Sequence, residues 1–294
     1  MTTNHRSPWS VPRGRILVRA LRTDPSQEYL VFVPASAAPD ARVMVSVHGI
    51  SRNAHEQAAV FAELCEARGI VLVVPSFTAE RHKQYQRLGR RPRGSRADLL
   101  LNRFLEEVAS LSGADVTQIH LFGYSAGAQF AHRYLMGHPH RVARAVVVAA
   151  GWYTFPDPGR RFPYGLRPNR ALKDLRFDPE QFLRVPIEVL VGEQDLASTK
   201  LRRSERLDAQ QGTDRLSRAR SWVAAMTAAA AAHGFPPSVS LTEVPDVDHS
   251  FATFCARGAL VERVGRSLFG STEAERAASH VLEAPATMTV ESGA

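Results

Sequence analysis

The stretch QIHLFGYSAG, residues 118–127, joins an apolar run to the start of a helical pattern. The run Gln118–Phe122 predicts a strand, and Ala126–Met136 predicts the helix that follows it. Glycines at both ends of GYSAG are expected because side chains there would collide with the neighbouring strand and helix. Ser125 is therefore predicted to stand on a sharp turn above a sheet, where the helix N-terminus offers a free N–H to an oxyanion.

A serine hydroxyl is a poor nucleophile unless a base removes its proton, so a histidine must lie nearby. The histidines far downstream of Ser125 are His233, His249 and His280. His233 adjoins a helix-ending glycine, and His280 lies in the terminal helix or tail. His249 follows the strand candidate Ser238–Val244, in a loop at the edge where open α/β sheets place their sites. His249 is therefore predicted to be the base.

The imidazole in turn needs a carboxylate that holds its tautomer and stabilises its charged form. The run Ile187–Val191 reads as a strand that passes through a glycine to Asp195, which is the favoured carboxylate. Glu193 in the same loop is the rival, and Asp248 is too close in sequence to reach around its neighbour. The predicted order along the chain is thus serine, acid, histidine, with each residue at a separate strand end.

A further amide donor is predicted at the end of another strand. Val43–Val47 reads as a strand that ends in His48-Gly49-Ile50. The backbone N–H of Ile50 can pair with that of Ala126 as an oxyanion hole, a contribution on the order of 10²–10³ in rate. The side chain of His48 is expected to brace the turn rather than touch substrate.

Short β-branched runs alternate with helical patterns over most of the chain, which predicts a mostly parallel sheet with helices on both faces. The strand candidates are Ile16–Ala20, Tyr29–Val33, Val43–Val47, Val71–Val74, Gln118–Phe122, Ala143–Val148, Ile187–Val191 and Ser238–Val244. The helix candidates are His55–Arg68, Ser95–Leu111, Ala126–Met136, Arg218–His233 and Ala252–Leu268. The first two strands are expected to be antiparallel because only the turn-rich segment Arg22–Glu28 separates them, and Ser95–Asp98 resembles a capping box.

A single domain is expected over residues 1–283, followed by a flexible tail over 284–294. The segment 151–184 carries aromatic residues, prolines and arginines without periodicity, which is typical of a short lid. Residues 78–95 read as an arginine-rich loop.

Two sets of side chains are candidates for substrate binding. Tyr124, beside the nucleophile, is one candidate. Aromatic residues of the lid that could line an acyl pocket, or equally hold the long loop down, are Trp152, Tyr153, Phe155, Phe162 and Tyr164. Arginines that could bind a carboxylate or phosphate, or form a solvated face, are Arg52, Arg81, Arg87, Arg90, Arg91, Arg93 and Arg96.

Composition excludes several other classes of protein. The chain has 294 residues, of which 44% are hydrophobic and 22% charged, so it is expected to be globular. Its two cysteines, Cys65 and Cys255, form no CxxC pair, so neither a disulfide framework nor a metal site is predicted, and no cofactor is implied. No secretory signal or membrane span is recognised, and a soluble cytoplasmic protein is expected. The formal charge of +8 comes without a nucleic-acid recognition motif, so no nucleic-acid partner is expected.

These motifs together resemble those of the serine α/β-hydrolases: HGI at 48–50, GYSAG at 123–127, an acid at Asp195 and DH at 248–249. Within that superfamily, HGISRNA and the short lid are similar to the branch of polyhydroxybutyrate-depolymerase-like and feruloyl-esterase-like enzymes. The resemblance implies the α/β-hydrolase fold, with an eight-stranded, mostly parallel sheet and a short lid insertion.

The activity expected from these residues is hydrolysis of a carboxylic ester through an acyl-enzyme, on a small-molecule substrate that could carry an anionic group. A thioesterase, amidase or acyltransferase could use the same residues, and a non-catalytic binding protein on a hydrolase scaffold is the alternative outside enzymes. A homo-oligomer is left open.

Overall fold

The computed structural model describes residues 11–89, 96–168, 172, 174–197 and 201–271. Within these residues, eight strands form one sheet. The strands are β1 (Ile16–Leu21), β2 (Asp24–Phe32), β3 (Arg42–Val47), β4 (Val71–Pro75), β5 (Asp115–Tyr124), β6 (Val142–Val148), β7 (Ile187–Gly192) and β8 (Val239–Val244). Each overlaps one of the predicted runs, so the predicted fold class is confirmed.

The strands lie in the order β1-β2-β4-β3-β5-β6-β7-β8. The pairs β1–β2 and β2–β4 are antiparallel, and the other neighbours are parallel. The expected antiparallel start is confirmed, but Arg22–Glu28 is not a loop, since β2 already begins at Asp24 and pairs through an irregularity at Leu21. This polar stretch can be a strand because it lies near the sheet edge, where most of its side chains face solvent.

The described residues also form eight α-helices. They are α1 (Ala54–Arg68), α2 (Ala97–Ser112), α3 (Ala126–Gly137), α4 (Pro179–Phe182), α5 (Glu205–Gln211), α6 (Arg215–Ala232), α7 (Phe251–Ala256) and α8 (Leu260–Phe269). Short 3₁₀ helices cover Tyr85–Arg87 and Pro139–Arg141. No helix in the described part of the chain is both long and apolar enough to cross a membrane.

Two predicted helix starts, those of α2 and α6, differ from the structure by more than one residue. The capping box expected at Ser95–Asp98 is not used: the Asp98 carboxylate binds Arg96 (2.6 Å) and His138 (2.9 Å) instead, and Ser95 lies outside the described residues. Helix α6 starts three residues before the predicted Arg218, because Asp214 caps it through the amide of Ser217.

The last predicted helix, Ala252–Leu268, is in fact two. Helices α7 and α8 are separated at Gly258 and Ala259, where Ala259 has a left-handed φ of 46° and the Gly258 amide donates to the Thr253 carbonyl. The apolar pattern runs through this break since both helices bury side chains against the same face of the sheet, so periodicity alone could not reveal it.

Apolar side chains fill both faces of the sheet. One core lies under α2, α3 and α6, and the other under α1, α7 and α8. The described part of the predicted lid, residues 151–184, packs into the first core, where Tyr153 stacks on Trp222 with ring centroids 4.8 Å apart. This arrangement leaves the carboxyl ends of the central strands as the place where side chains from distant segments meet.

Candidate active site

Ser125 occupies the turn between β5 and α3 in a strained conformation. Its φ is 54° and its ψ is −109°, a combination that non-glycine residues rarely adopt. The amide of Ser125 donates to the Val148 carbonyl on β6 (2.8 Å), which holds the turn against the sheet. The turn therefore holds Ser125 above the carboxyl end of β5, as GYSAG predicts.

The two glycines of GYSAG are required by close backbone contacts. A Cβ atom on Gly127 would lie 1.9 Å from the Val47 carbonyl oxygen, and one on Gly123 would lie 2.3 Å from the Gly127 carbonyl oxygen. Both distances are far below van der Waals contact, so the turn could not form with larger residues.

Asp195 and His249 come from two loops beside Ser125. Asp195 follows β7, and its amide donates to the Gly192 carbonyl (3.1 Å). The same loop is tied to the loop after β8 by the bond from the Gln194 amide to the Val247 carbonyl (3.0 Å). His249 lies at the end of this second loop, directly before the residue that caps α7. The parallel pairing of β7 with β8 thus brings the carboxylate and the imidazole together.

A chain of hydrogen bonds connects the three side chains. Ser125 Oγ lies 3.1 Å from His249 Nε2, and His249 Nδ1 lies 2.8 Å from Asp195 Oδ2. The Asp195 carboxylate is fully buried, whereas the imidazole is partly exposed. Through this geometry a proton on Ser125 can pass to His249 while Asp195 holds the other ring nitrogen.

The rival residues lie outside this chain. Glu193 and Asp248 are exposed to solvent, and in the described structure neither is hydrogen-bonded to the imidazole. His233 ends α6 and stacks on Phe235, and His280 lies outside the described residues.

Ile50 and Ala126 border the same site. Both residues line the cavity that contains Ser125, and no hydrogen bond among the described residues uses either N–H. The turn that carries Ile50 is held by His48, whose Nδ1–H donates to the Gly49 carbonyl (2.9 Å), and by the Tyr85 hydroxyl, which donates to the His48 carbonyl (2.8 Å). His48 thus braces the turn, as expected.

Arg215 is a neighbour of Asp195 that sequence reasoning missed. Its Nη1 donates to Asp195 Oδ1 (3.1 Å) and to the Ala197 carbonyl (3.3 Å), and the side chain is almost fully buried. No sequence signal indicates this contact, because it joins the first turn of α6 to the loop after β7. The buried carboxylate is therefore bonded on both oxygens, one to the imidazole and one to a guanidinium.

The cavity at Ser125 has a volume of about 660 Å³. Of the predicted binding residues, Tyr124 and Trp152 line it, and the Tyr124 ring stacks on the His249 imidazole with centroids 5.6 Å apart. From the predicted arginine-rich loop, Arg87 also lines this cavity.

Several predicted binding residues do not line the cavity, Phe162 and Tyr164 among them. Tyr153 and Phe155 are buried in the core, where Tyr153 stacks on Trp222 of α6. Arg52 turns away as well, since its guanidinium donates to the Phe77 carbonyl and lies over the Tyr85 ring. Among the other candidates, Arg96 pairs with Asp98, Arg81 is outside the cavity lining, and Arg90, Arg91 and Arg93 lie outside the described residues.

Three buried histidines around the site are held neutral by backbone amides. One ring nitrogen of each accepts an amide N–H: His48 from Phe77 (3.1 Å), His82 from Thr78 (3.0 Å) and His132 from Thr154 (3.0 Å). Burial lowers the pKa of His48 and of His82 to about 4, and lowers the pKa of His132 well below its ordinary value. A proton on the accepting nitrogen would break each of these bonds.

We expect the free energy of unfolding to fall as the pH is lowered from about 6.5 to about 4. In this window the three histidines are protonated in the unfolded chain but neutral in the folded one. Each histidine therefore contributes up to about 1.4 kcal/mol per pH unit to the slope of the free energy of unfolding against pH. Urea unfolding at pH 7.5, 6.0 and 5.0 measures the slope. His82→Gln should reduce it by the share of one histidine, whereas the control His55→Gln, at an exposed position, should leave it unchanged. An unaltered slope in His82→Gln would contradict this account.

Comparisons with known proteins agree with this architecture. A family model described as the alpha/beta hydrolase fold matches residues 43–239. Among curated protein sequences, none matches the chain significantly.

Several solved structures are similar to the chain. Poly(aspartic acid) hydrolase-1 from Sphingomonas sp. KT-1 is 23% identical with a TM-score of 0.69, and the match covers 83% of this chain and 93% of that one. The poly(3-hydroxybutyrate) depolymerase from Bordetella parapertussis is 28% identical with a TM-score of 0.66, over 81% of this chain and 88% of that one. A ferulic acid esterase is 14% identical with a TM-score of 0.54, over 87% and 98% of the two chains.

Proposed function

Since the chain belongs to the α/β hydrolase family, we propose that it is a serine hydrolase that cleaves a carboxylic ester through an acyl-enzyme. The observation that carries the proposal is the unbroken chain of hydrogen bonds from Ser125 through His249 to Asp195. The similarity to a depolymerase of poly(3-hydroxybutyrate), an ester polymer, supports an ester as the bond that is cleaved.

In the first half of the reaction, Ser125 Oγ attacks the ester carbonyl carbon while its proton moves to His249 Nε2. The carbonyl oxygen becomes an oxyanion, which the amides of Ile50 and Ala126 stabilise. Asp195 accepts the Nδ1–H of His249 and stabilises the imidazolium. Collapse of the intermediate breaks the bond to the alcohol, which leaves with the proton from His249.

In the second half, water enters the place of the alcohol and His249 removes its proton. The resulting hydroxide attacks the acyl carbon, and the same two amides hold the second oxyanion. The bond to Ser125 Oγ then breaks, Oγ regains the proton from His249, and the carboxylic acid leaves. No atom beyond substrate and water is consumed.

Hydrolysis of p-nitrophenyl esters from acetate to decanoate tests this proposal, with the p-nitroanilide and the thioester of one acyl chain for comparison. We expect the ester to be cleaved fastest, and an acid-quenched sample to show an acyl adduct on the peptide that contains Ser125. Faster cleavage of the anilide or of the thioester would show that the site prefers an amide or a thioester to an oxygen ester. Folded protein that cleaves none of these substrates would contradict the proposal.

A further inference from the structure

The active-site cavity is positively charged on the side that faces Trp152. Arg87, Arg202 and Arg215 line the cavity, and the guanidinium carbons of Arg87 and Arg202 lie 5.3 and 5.8 Å from the Trp152 ring centroid. Of these three, Arg215 is bonded to Asp195. The acidic member of the lining is Glu56, on α1.

A buried arginine adds to this charge from behind the cavity wall. Arg133 is fully buried, and its guanidinium carbon lies 4.3 Å from the Trp152 ring centroid. Its hydrogen-bond acceptors are uncharged: the hydroxyl of Thr154, the carbonyls of Gln86 and Trp152, and the main-chain and side-chain oxygens of Gln129. No carboxylate of the described residues pairs with it. Because buried charges are usually paired, this one leaves a positive potential that favours an anion in the cavity.

A second cavity, with a volume of about 750 Å³, is lined by four arginines. They are Arg160, Arg161, Arg167 and Arg206. Arg160 pairs with Asp157 (3.2 Å), but the other three form no ion pair within the described part of the chain. Some exposed arginines elsewhere in the described residues do have acidic partners, as in the pairs Arg220–Glu243 and Arg203–Asp208. Unneutralised like charges repel one another, so this cluster is stabilised when an anion binds.

The two cavities share a wall. Arg202, which lines the first cavity, donates from Nη2 to the hydroxyl of Tyr164, which lines the second (3.1 Å). The Tyr164 ring also packs on Trp152, with centroids 5.1 Å apart. A ligand long enough to reach over Arg202 and Tyr164 would therefore contact the arginines of the first cavity and those of the second.

We propose that the ester cleaved at Ser125 is part of a linear oligomer with repeated carboxylates, and that the second cavity binds units beyond the reacting ester. This inference rests on the proposed function. None of Ser125, Asp195 and His249 lines the second cavity, so only a substrate that extends past the reacting bond can use both. The reaction itself releases a carboxylate into the first cavity, where the same arginines can bind it.

Single-stranded nucleic acid fits these residues less well than a polycarboxylate. Proteins that bind it combine cationic grooves with several aromatic side chains on which successive bases stack. Tyr164 is the single aromatic residue in the described lining of the second cavity. The arginines provide bidentate donors for carboxylates without such a stacking surface.

The test measures direct binding of fluorescently labelled oligo-glutamates of two, four and eight residues, by anisotropy at low salt. We expect affinity to rise about tenfold from two to eight residues, since the longer oligomers add exposed ion pairs in the second cavity. Arg161→Gln/Arg167→Gln should lose most of this gain while its kcat/KM for a neutral p-nitrophenyl ester stays unchanged. The matched control is Arg42→Gln/Arg144→Gln, which removes two exposed charges near the amino ends of β3 and β6, at the opposite edge of the sheet.

Several outcomes would overturn the proposal: affinity that does not depend on length, equal binding of a neutral glycine-serine oligomer, or an equal loss in the control variant. Tighter, Arg161- and Arg167-dependent binding of a single-stranded oligonucleotide would assign the cavity to nucleic acid instead. Binding is measured without turnover, so it is independent of the proposed function. Length-dependent binding by a protein that cleaves no ester would contradict only the proposal that the protein is an ester hydrolase. Ester cleavage without length-dependent binding would contradict only the proposal that the second cavity binds further units of the substrate.

Discussion

Replacing Ser125 with alanine is expected to reduce ester hydrolysis by about 10⁶-fold, the scale of loss when a serine hydrolase loses its nucleophile. Without Oγ no acyl-enzyme can form, and His249 has no hydroxyl to deprotonate. The amides of Ile50 and Ala126 remain, so a residual rate above that in water is expected. Steady-state kinetics with the preferred p-nitrophenyl ester measure the loss.

The Ser125→Ala variant should fold like the parent protein. The strained φ of 54° is a property of the turn, and alanine meets it with the same Cβ atom that serine has. The urea midpoint is therefore expected to stay close to that of the parent. Ser110→Ala, at an exposed position on α2, is the matched control and should keep full activity. Undiminished turnover in Ser125→Ala would contradict the assignment of the nucleophile.

Asp195→Asn is expected to reduce kcat by about 10⁴-fold, because the imidazole takes the wrong tautomer. Arg215 can only donate to residue 195, so the amide oxygen of the asparagine should turn toward Arg215. The amide nitrogen then faces His249 Nδ1 and donates to it. His249 consequently carries its proton on Nε2, where it cannot accept the proton of Ser125.

Two further variants test this explanation. In the Asp195→Asn/Arg215→Met double variant, the asparagine can flip and accept from Nδ1–H, so we expect part of the activity to return. Glu193→Gln should keep activity within about twofold, as is usual for an exposed side chain away from such contacts. A large loss in Glu193→Gln with little in Asp195→Asn would show that Glu193 is the acid.

The positions of the central strands and of the turns between them were predictable because their physical causes are local. Runs such as Val43–Val47 are apolar at consecutive positions, as is typical of strands covered on both faces. Gly123 and Gly127 mark the turn around Ser125, since any side chain there would overlap backbone atoms. Parallel strands then align their carboxyl ends at one edge, which explains how residues far apart in sequence could be placed together.

Side-chain directions were not predictable from the sequence. Tyr153 and Phe155 belong to an aperiodic segment and are buried in the core, where Tyr153 packs against Trp222, which lies far along the chain. Arg52 follows the predicted oxyanion turn, yet a carbonyl beside β4 directs its guanidinium away from the cavity.

The charged surroundings of the site were also beyond sequence reasoning. The contact of Arg215 with Asp195 joins the start of α6 to the loop after β7, and no local pattern indicates it. The second cavity likewise depends on how Tyr164 and Arg202 meet, and an arginine count alone could not separate it from a solvated face.

The central claim is that Ser125 is activated by His249 and Asp195. Mass spectrometry of the protein after reaction with a fluorophosphonate tests it most directly, because such reagents are attacked by an activated serine. We expect one adduct on the peptide that contains Ser125, and a much slower reaction in His249→Ala. An adduct on another serine, or folded protein that forms none, would contradict the account.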